Sequence, residues 1–266
     1  IFGILVLFAL SISIIAQDDN PNLVTGGKRI SFEASSVFPN PPWMAPPSNV
    51  ADERLQLRWE AEKEKEGAWI SIKWDEPQKI KELWLINKAT PYDIVLDPYM
   101  RSANYLVPRN VKIVFSDGTA IDAELRLCEY YQIITLPKEI VTNSLKFIIE
   151  KVWDGSGEIN SGLCKVMAFS KPNPAGFKVN IFEMYDIQND KPVQSAKIQI
   201  VNPGNEIKGA KLLIMQDGKS FGTIDLAEIP ARSAATNQIW IPAVFNDSKL
   251  TFKISSPETI FTAEQN

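Results

Sequence analysis

Any chemistry in this chain must be done without histidine. The 266 residues contain no His and only two Cys. That removes Ser-His-Asp and Cys-His nucleophiles, His-based metal sites and a zinc framework. Catalysis would have to rest on carboxylates, Lys or Tyr. Glycoside hydrolysis needs two acids roughly 5–10 Å apart across a cleft. Asp93 with Asp97, and Glu129 with Asp154, are the pairs to weigh. Neither lies in a catalytic pattern, and 32 acidic residues make such pairs commonplace. The segment is therefore read as non-catalytic.

Recognition of a sugar ring is the chemistry the residues suit better. It needs a flat apolar face for the C–H side, and planar, multi-donor side chains for the hydroxyls. Trp or Tyr beside Arg, Asn and Asp supplies both. Residues 38–49, FPNPPWMAPPSN, place Trp43 in a Pro-stiffened loop, where an exposed ring is held at low entropic cost. The alternative is that Trp43 folds back over the core. Residues 90–109, TPYDIVLDPYMRSANYLVPR, form a long interruption of the kind that is often functional. The candidate ligand-binding residues are Trp43, Tyr92, Asp97, Tyr99, Arg101 and Asn104. A structural ion pair with Asp93 or Asp97 is the competing role for Arg101. Trp153, before Asp154-Gly155-Ser156-Gly157, is expected to close a strand into the core.

The elements that must position these loops are strands. Short β-rich runs recur between turn residues, at 29–36, 55–59, 68–74, 79–87, 110–115, 120–127, 132–136, 145–153 and 163–169. No long segment keeps a helical period, so the chain is expected to be all-β, a sandwich or barrel. Ser116-Asp117-Gly118 and Asp217-Gly218 are hairpin signals. Residues 170–176, SKPNPAG, mark a boundary. Beyond it, 178–187, 196–202, 210–216, 221–226, 238–241 and 250–255 read as strands of a second, immunoglobulin-like sandwich. The tail, 257–266, reads as a linker or the start of a further region. The charge run 60–67, EAEKEKEG, reads as a solvated loop or a single helical turn. Trp59, Trp69, Trp74 and Trp84 are expected in the core, and Trp240 in that of the second domain.

Composition bounds the partners. Hydrophobic residues make up 45% and charged residues 23%, an ordinary globular balance. The net charge is −4, which offers no basic excess to neutralise phosphates and argues against nucleic acid. Residues 1–16, IFGILVLFALSISIIA, carry no charge and end at a small residue before a polar stretch. That pattern fits part of a secretory signal peptide, since a membrane span needs ~20 residues. An exported protein without a membrane anchor after cleavage is expected, secreted, periplasmic or at the cell surface. Export permits a disulfide; Cys128 and Cys164 are the available pair, bridged or free.

Several separated stretches resemble the discoidin-like, galactose-binding-like family, which includes coagulation-factor type C domains and family 32 carbohydrate-binding modules. Ser31-Phe32-Glu33-Ala34-Ser35-Ser36-Val37 is similar to the family's opening strand. Asn49-Val50-Ala51-Asp52-Glu53-Arg54, running on to Arg58-Trp59, resembles its Asp-Gly loop. Ala68-Trp69-Ile70-Ser71-Ile72-Lys73-Trp74, with 80–86, is similar to its paired strands. Ser116-Asp117-Gly118 looks like its hairpin, and Gly162-Leu163-Cys164-Lys165-Val166 like its closing strand. The resemblance covers residues 22–171 and implies a discoidin-like jelly-roll β-sandwich, followed by the smaller sandwich at 177–256.

It also implies a non-catalytic module that holds an attached enzyme on a glycan or polysaccharide. A downstream glycoside hydrolase is expected, an α-mannosidase-like domain being one form. A protein-interaction or adhesion module using the same loops, or a structural spacer, is the alternative. Members of the family often bind structural calcium at the Asp-Gly loop. Asp52 stands at that Asp, but Glu53 replaces the Gly, Arg54 adds a cation and Lys165 stands at the closing Glu. Calcium wants six to eight oxygens. No cofactor is therefore expected, with Asp52 more at home as a turn or helix cap.

Overall fold

Alternating burial along the strands shows which face each presents to a core. In Pro108–Phe115, Val111, Ile113 and Phe115 are buried while Arg109 is exposed. The computed structural model describes residues 20–25, 29–39, 45–52, 54, 57–88, 106–153, 160–226, 228–243, 250–256 and 260–264. The described residues are almost wholly β, with one short 3-10 helix at Pro47–Ala51.

The first half holds β1 (Ile30–Ala34), β2 (Trp59–Glu60), β3 (Trp69–Ile86), β4 (Pro108–Phe115), β5 (Ala120–Glu124), β6 (Tyr131–Val152), β7 (Gly162–Leu163) and β8 (Lys165–Phe169). Two predicted runs each merge into one long strand: 68–74 with 79–87 in β3, and 132–136 with 145–153 in β6. Register shifts between Lys73 and Gln78 and between Ile80 and Glu82 let both strands bend. The first arm of β3 pairs with β1 and with the second arm of β6, which also pairs with β4, and β4 in turn pairs with β5. The second arm of β3 pairs with β8 and the first arm of β6. Ile70, Ile72, Leu83, Leu85, Ile113, Phe147 and Val166 from both sets share one buried cluster, so the sheet folds into a sandwich.

The second half holds β9 (Gly176–Gln188), β10 (Lys191–Asn202), β11 (Lys211–Gln216), β12 (Lys219–Asp225), β13 (Ser233–Pro242), β14 (Leu250–Ser255) and β15 (Ile260–Glu264). The set β9-β10-β13 and the sheet β12-β11-β14-β15 enclose Phe177, Ile198, Leu212, Ile214, Ile241 and Phe252. Asn189-Asp190 and Asp217-Gly218 turn the hairpins with positive φ at both residues, the twist a two-residue hairpin requires. The tail expected as a linker contributes β15, paired with β14 from Thr251↔Glu264 to Ser255↔Ile260.

The two sandwiches are joined. β13 pairs with β6 through Ser233↔Gln132 and Ala234↔Tyr131, so one sheet runs from the first into the second. Leu83 and Leu85 therefore face the first core, while Trp84 and Ile86 face a junction with Tyr131, Ile133, Phe169 and Ala234. Trp84 lies 4.9 Å from Phe169 and 5.8 Å from Tyr131 between ring centroids. The buried Glu82 carboxylate accepts hydrogen bonds from Trp84 Nε1 at 2.8 Å and from Asn173 N and Nδ2 at 3.0 and 2.9 Å. Asn173, in the Pro-rich stretch 170–176, is thereby pinned to β3 of the first sandwich.

Two aromatic expectations are refined. Trp59, Trp74 and Trp84 are buried as expected. Trp69 is half-buried, its ring under the Lys146 ammonium at 3.9 Å. Trp240 is half-buried too; Phe177 and Phe252 fill the second core.

Candidate ligand-binding end of the first sandwich

One buried carboxylate organises an end of the first sandwich. Glu60, expected in a solvated charge run, is 2% exposed. Its Oε2 accepts from Arg58 Nε at 3.1 Å and Nη2 at 2.8 Å, and its Oε1 from Asn160 Nδ2 at 3.0 Å. A charge is buried only when paired and hydrogen-bonded, and here three donors satisfy it. Its backbone serves as well: Phe38 N donates to Glu60 O at 2.8 Å, and Glu60 N donates to Ala45 O. Both flanks of residues 40–44 are thus tied to Glu60.

Asn160 extends the tie. Leu106 N donates to Asn160 O at 2.7 Å, and Leu106 forms a parallel bridge with Ser161. Trp153 N donates to Val107 O at 2.9 Å. Asn87, fully buried, donates through Nδ2 to Pro108 O at 2.7 Å and Arg126 O at 2.8 Å. The described residues flanking 40–44, 89–105 and 154–159 therefore meet at one end. Trp153 is half-buried beside it, donating from Nε1 to Leu125 O at 3.1 Å, with the Arg109 guanidinium 4.8 Å from its ring centroid.

Trp43, Tyr92, Asp97, Tyr99, Arg101 and Asn104 lie outside the described residues, as do Asp93, Asp154 and residues 1–16. Glu129, half of one imagined catalytic pair, instead meets Lys88 Nζ at 2.7 Å. Sequence reasoning missed Arg58, Glu60 and Asn160. The dipeptide Arg58-Trp59 stood in the resemblance, but nothing local distinguished Glu60 from the five charges after it.

The presumed calcium loop is built differently. Asp52 ends the 3-10 helix, its N–H donating to Asn49 O at 3.2 Å. Arg54 donates to Asp52 Oδ1 through Nε at 2.9 Å and N at 2.8 Å, and to Oδ2 through Nη2 at 2.8 Å. These bonds hold the Asp52 carboxyl down at about 2. Lys165, 1% exposed, donates from Nζ to Asn49 O at 2.8 Å and Leu57 O at 2.5 Å. Burial pulls its ammonium down to about 8. Both Asp52 oxygens are taken by Arg54 and a cation stands at the carbonyls, so the described residues of this loop do not fit calcium. Among the described residues, no group of three or more Cys, Asp or Glu is placed to hold a metal. Cys128 and Cys164 are both buried and not bridged to each other, and burial pushes the Cys164 thiol up to about 11.

No protein-family model matches the chain, and no curated protein does. Solved structures similar to it include the family 32 carbohydrate-binding module of Clostridium perfringens NanJ in complex with galactose. That match has 10% identity and a TM-score of 0.39, over 53% of this chain and 93% of the other. The family 32 module of Streptococcus pneumoniae EndoD matches at 13% identity and TM-score 0.41, over 57% of this chain and all of the other. An F5/8 type C domain of Bacteroides fragilis matches at 12% and 0.38, over 53% and 91%.

Proposed function

We propose that the first sandwich is a non-catalytic carbohydrate-binding module, and that the second is an immunoglobulin-like spacer. The whole would belong to an exported, larger glycan-processing protein, with a glycoside hydrolase as the attached enzyme. The observation that carries this reading is the convergence at Glu60 and Asn160. The flanks of the segment bearing Trp43, and of that bearing Tyr92, Asp97, Tyr99, Arg101 and Asn104, are tied to one buried network. A site drawn from separate loops on a rigid scaffold is what sugar recognition needs. In this reading Trp43 stacks on the ring, and Arg101 with its polar neighbours bonds the hydroxyls. The strand order β9-β10-β13 against β12-β11-β14-β15 supports the immunoglobulin-like assignment. Its pairing to the first sandwich would hold the sugar site at a fixed angle to whatever follows.

The test is a glycan array probed with the whole chain and with Trp43→Ala and Arg101→Ala. Binding to a defined sugar class, lost in either variant, is expected. Binding unaffected by both would overturn the loop assignment, and a blank array from folded protein would overturn the glycan reading. A second reading, a protein-interaction module, draws on the exposed Phe182, Met184, Tyr185 and Ile187 of β9, the last 72% exposed. Competition by soluble sugars separates the two, since a protein contact would not respond.

A further inference from the structure

The Lys165 ammonium is buried among groups that ordinarily call for a free cation. Asn49 O and Leu57 O come from the two ends of a loop and converge on one point. Carbonyl oxygens aimed at each other in a buried space repel unless something positive stands between them. The charged and titratable groups around this point are Asp52, Arg54, Arg58 and Cys164. Both oxygens of Asp52 are bonded by Arg54, and Arg58 is bonded to Glu60. Among the described residues, Lys165 makes no ion pair with a carboxylate and donates instead to the two carbonyls. The remaining positive charge of the cradle is therefore supplied covalently, from β8.

We propose that the Lys165 ammonium takes the place of a bound divalent cation, so that the Asn49 and Leu57 carbonyls are held together without metal. The loop is in turn linked to the ligand-binding end, because Asn49 Nδ2 donates to Arg58 O at 3.1 Å and Arg58 holds Glu60. A tethered ammonium has three donors and a fixed position, whereas a metal at this point would need four or more further oxygens. Stability of this end, and any binding it supports, is then indifferent to chelators and to calcium concentration. The inference stands on the loop geometry and does not rest on the glycan reading.

The whole chain is melted in excess EDTA and in excess calcium, and calcium is titrated by calorimetry. Superimposable melts and no binding heat are expected; a midpoint that falls with EDTA or rises with calcium would overturn the proposal. Nitrogen-15 spectra of the lysine ammonium groups should show one slowly exchanging signal that neither EDTA nor calcium moves. Absence of a protected ammonium would also overturn it. Lys165→Met should lower the midpoint by roughly 5–10 °C and open the 49–57 loop to protease, neither effect being reversed by calcium. A variant as stable and protected as the parent would refute the clamp. If Lys165→Met does not fold, the chelator melts and the ammonium spectrum of the parent protein decide the matter alone.

Discussion

The Arg58–Glu60 pair gives the sharpest test of how the ligand-binding end is held. The two side chains are 4% and 3% exposed and meet at 2.8 Å. Glu60→Gln keeps shape and volume but removes the charge. It takes the Glu60 counter-charge from the buried Arg58 guanidinium, and turns an amide donor toward either Arg58 or Asn160. Removing one partner of a buried ion pair costs about 3–5 kcal/mol. At roughly 2–4 °C per kcal/mol for a chain of this size, the midpoint should fall by about 6–20 °C. Urea denaturation at neutral pH measures the cost directly. A double-mutant cycle with Arg58→Met then separates the pair from the packing, because removing both charges should recover much of the loss. The reasoning is refuted if Glu60→Gln costs under about 1 kcal/mol, or if the two substitutions simply add.

Two further outcomes follow from the same region. A Cβ at Gly162 would lie 2.2 Å from Trp59 O and 3.2 Å from the Glu60 Cα, both rigid backbone of the β2–β7 pair; Gly162→Ala should cost about 1–3 kcal/mol and weaken ligand binding, read by melting and by the array. Asp52, held at about 2 against an ordinary 3.8, binds fewer protons folded than unfolded in that window. Its contribution is therefore full above about pH 4 and lost as pH falls through 2. Melts from pH 5 to pH 2 should show the parent losing its advantage over Arg54→Ala; parallel curves would mean that the pair contributes nothing.

Much of the architecture was legible locally. Alternation in residues 110–115 and the Asp217-Gly218 turn are short-range signals, and both stand in the structure. The bends that merge two runs into β3 and two into β6 were not legible. The runs 68–74 and 79–87, and 132–136 and 145–153, read as separate strands, whereas the structure carries β3 and β6 on through Pro77 and Pro137 with shifts of register. Trp84 also misled in part: it is buried, but in the junction between sandwiches and not in the first core.

By itself the sequence determined the all-β class, the absence of histidine chemistry and the loss of acidic donors around Asp52. Those are matters of composition, period and turn chemistry, which act over a few residues. Only the tertiary structure decided that Glu60 is buried, that Lys165 bonds the Asn49 and Leu57 carbonyls, and that Cys128 and Cys164 are not bridged to each other. Asn160 bonds Glu60 from 100 residues away, and Lys165 reaches its two carbonyls across 116 and 108. A charge can be buried only once such distant partners arrive to satisfy it, and no local pattern in the chain encodes their arrival.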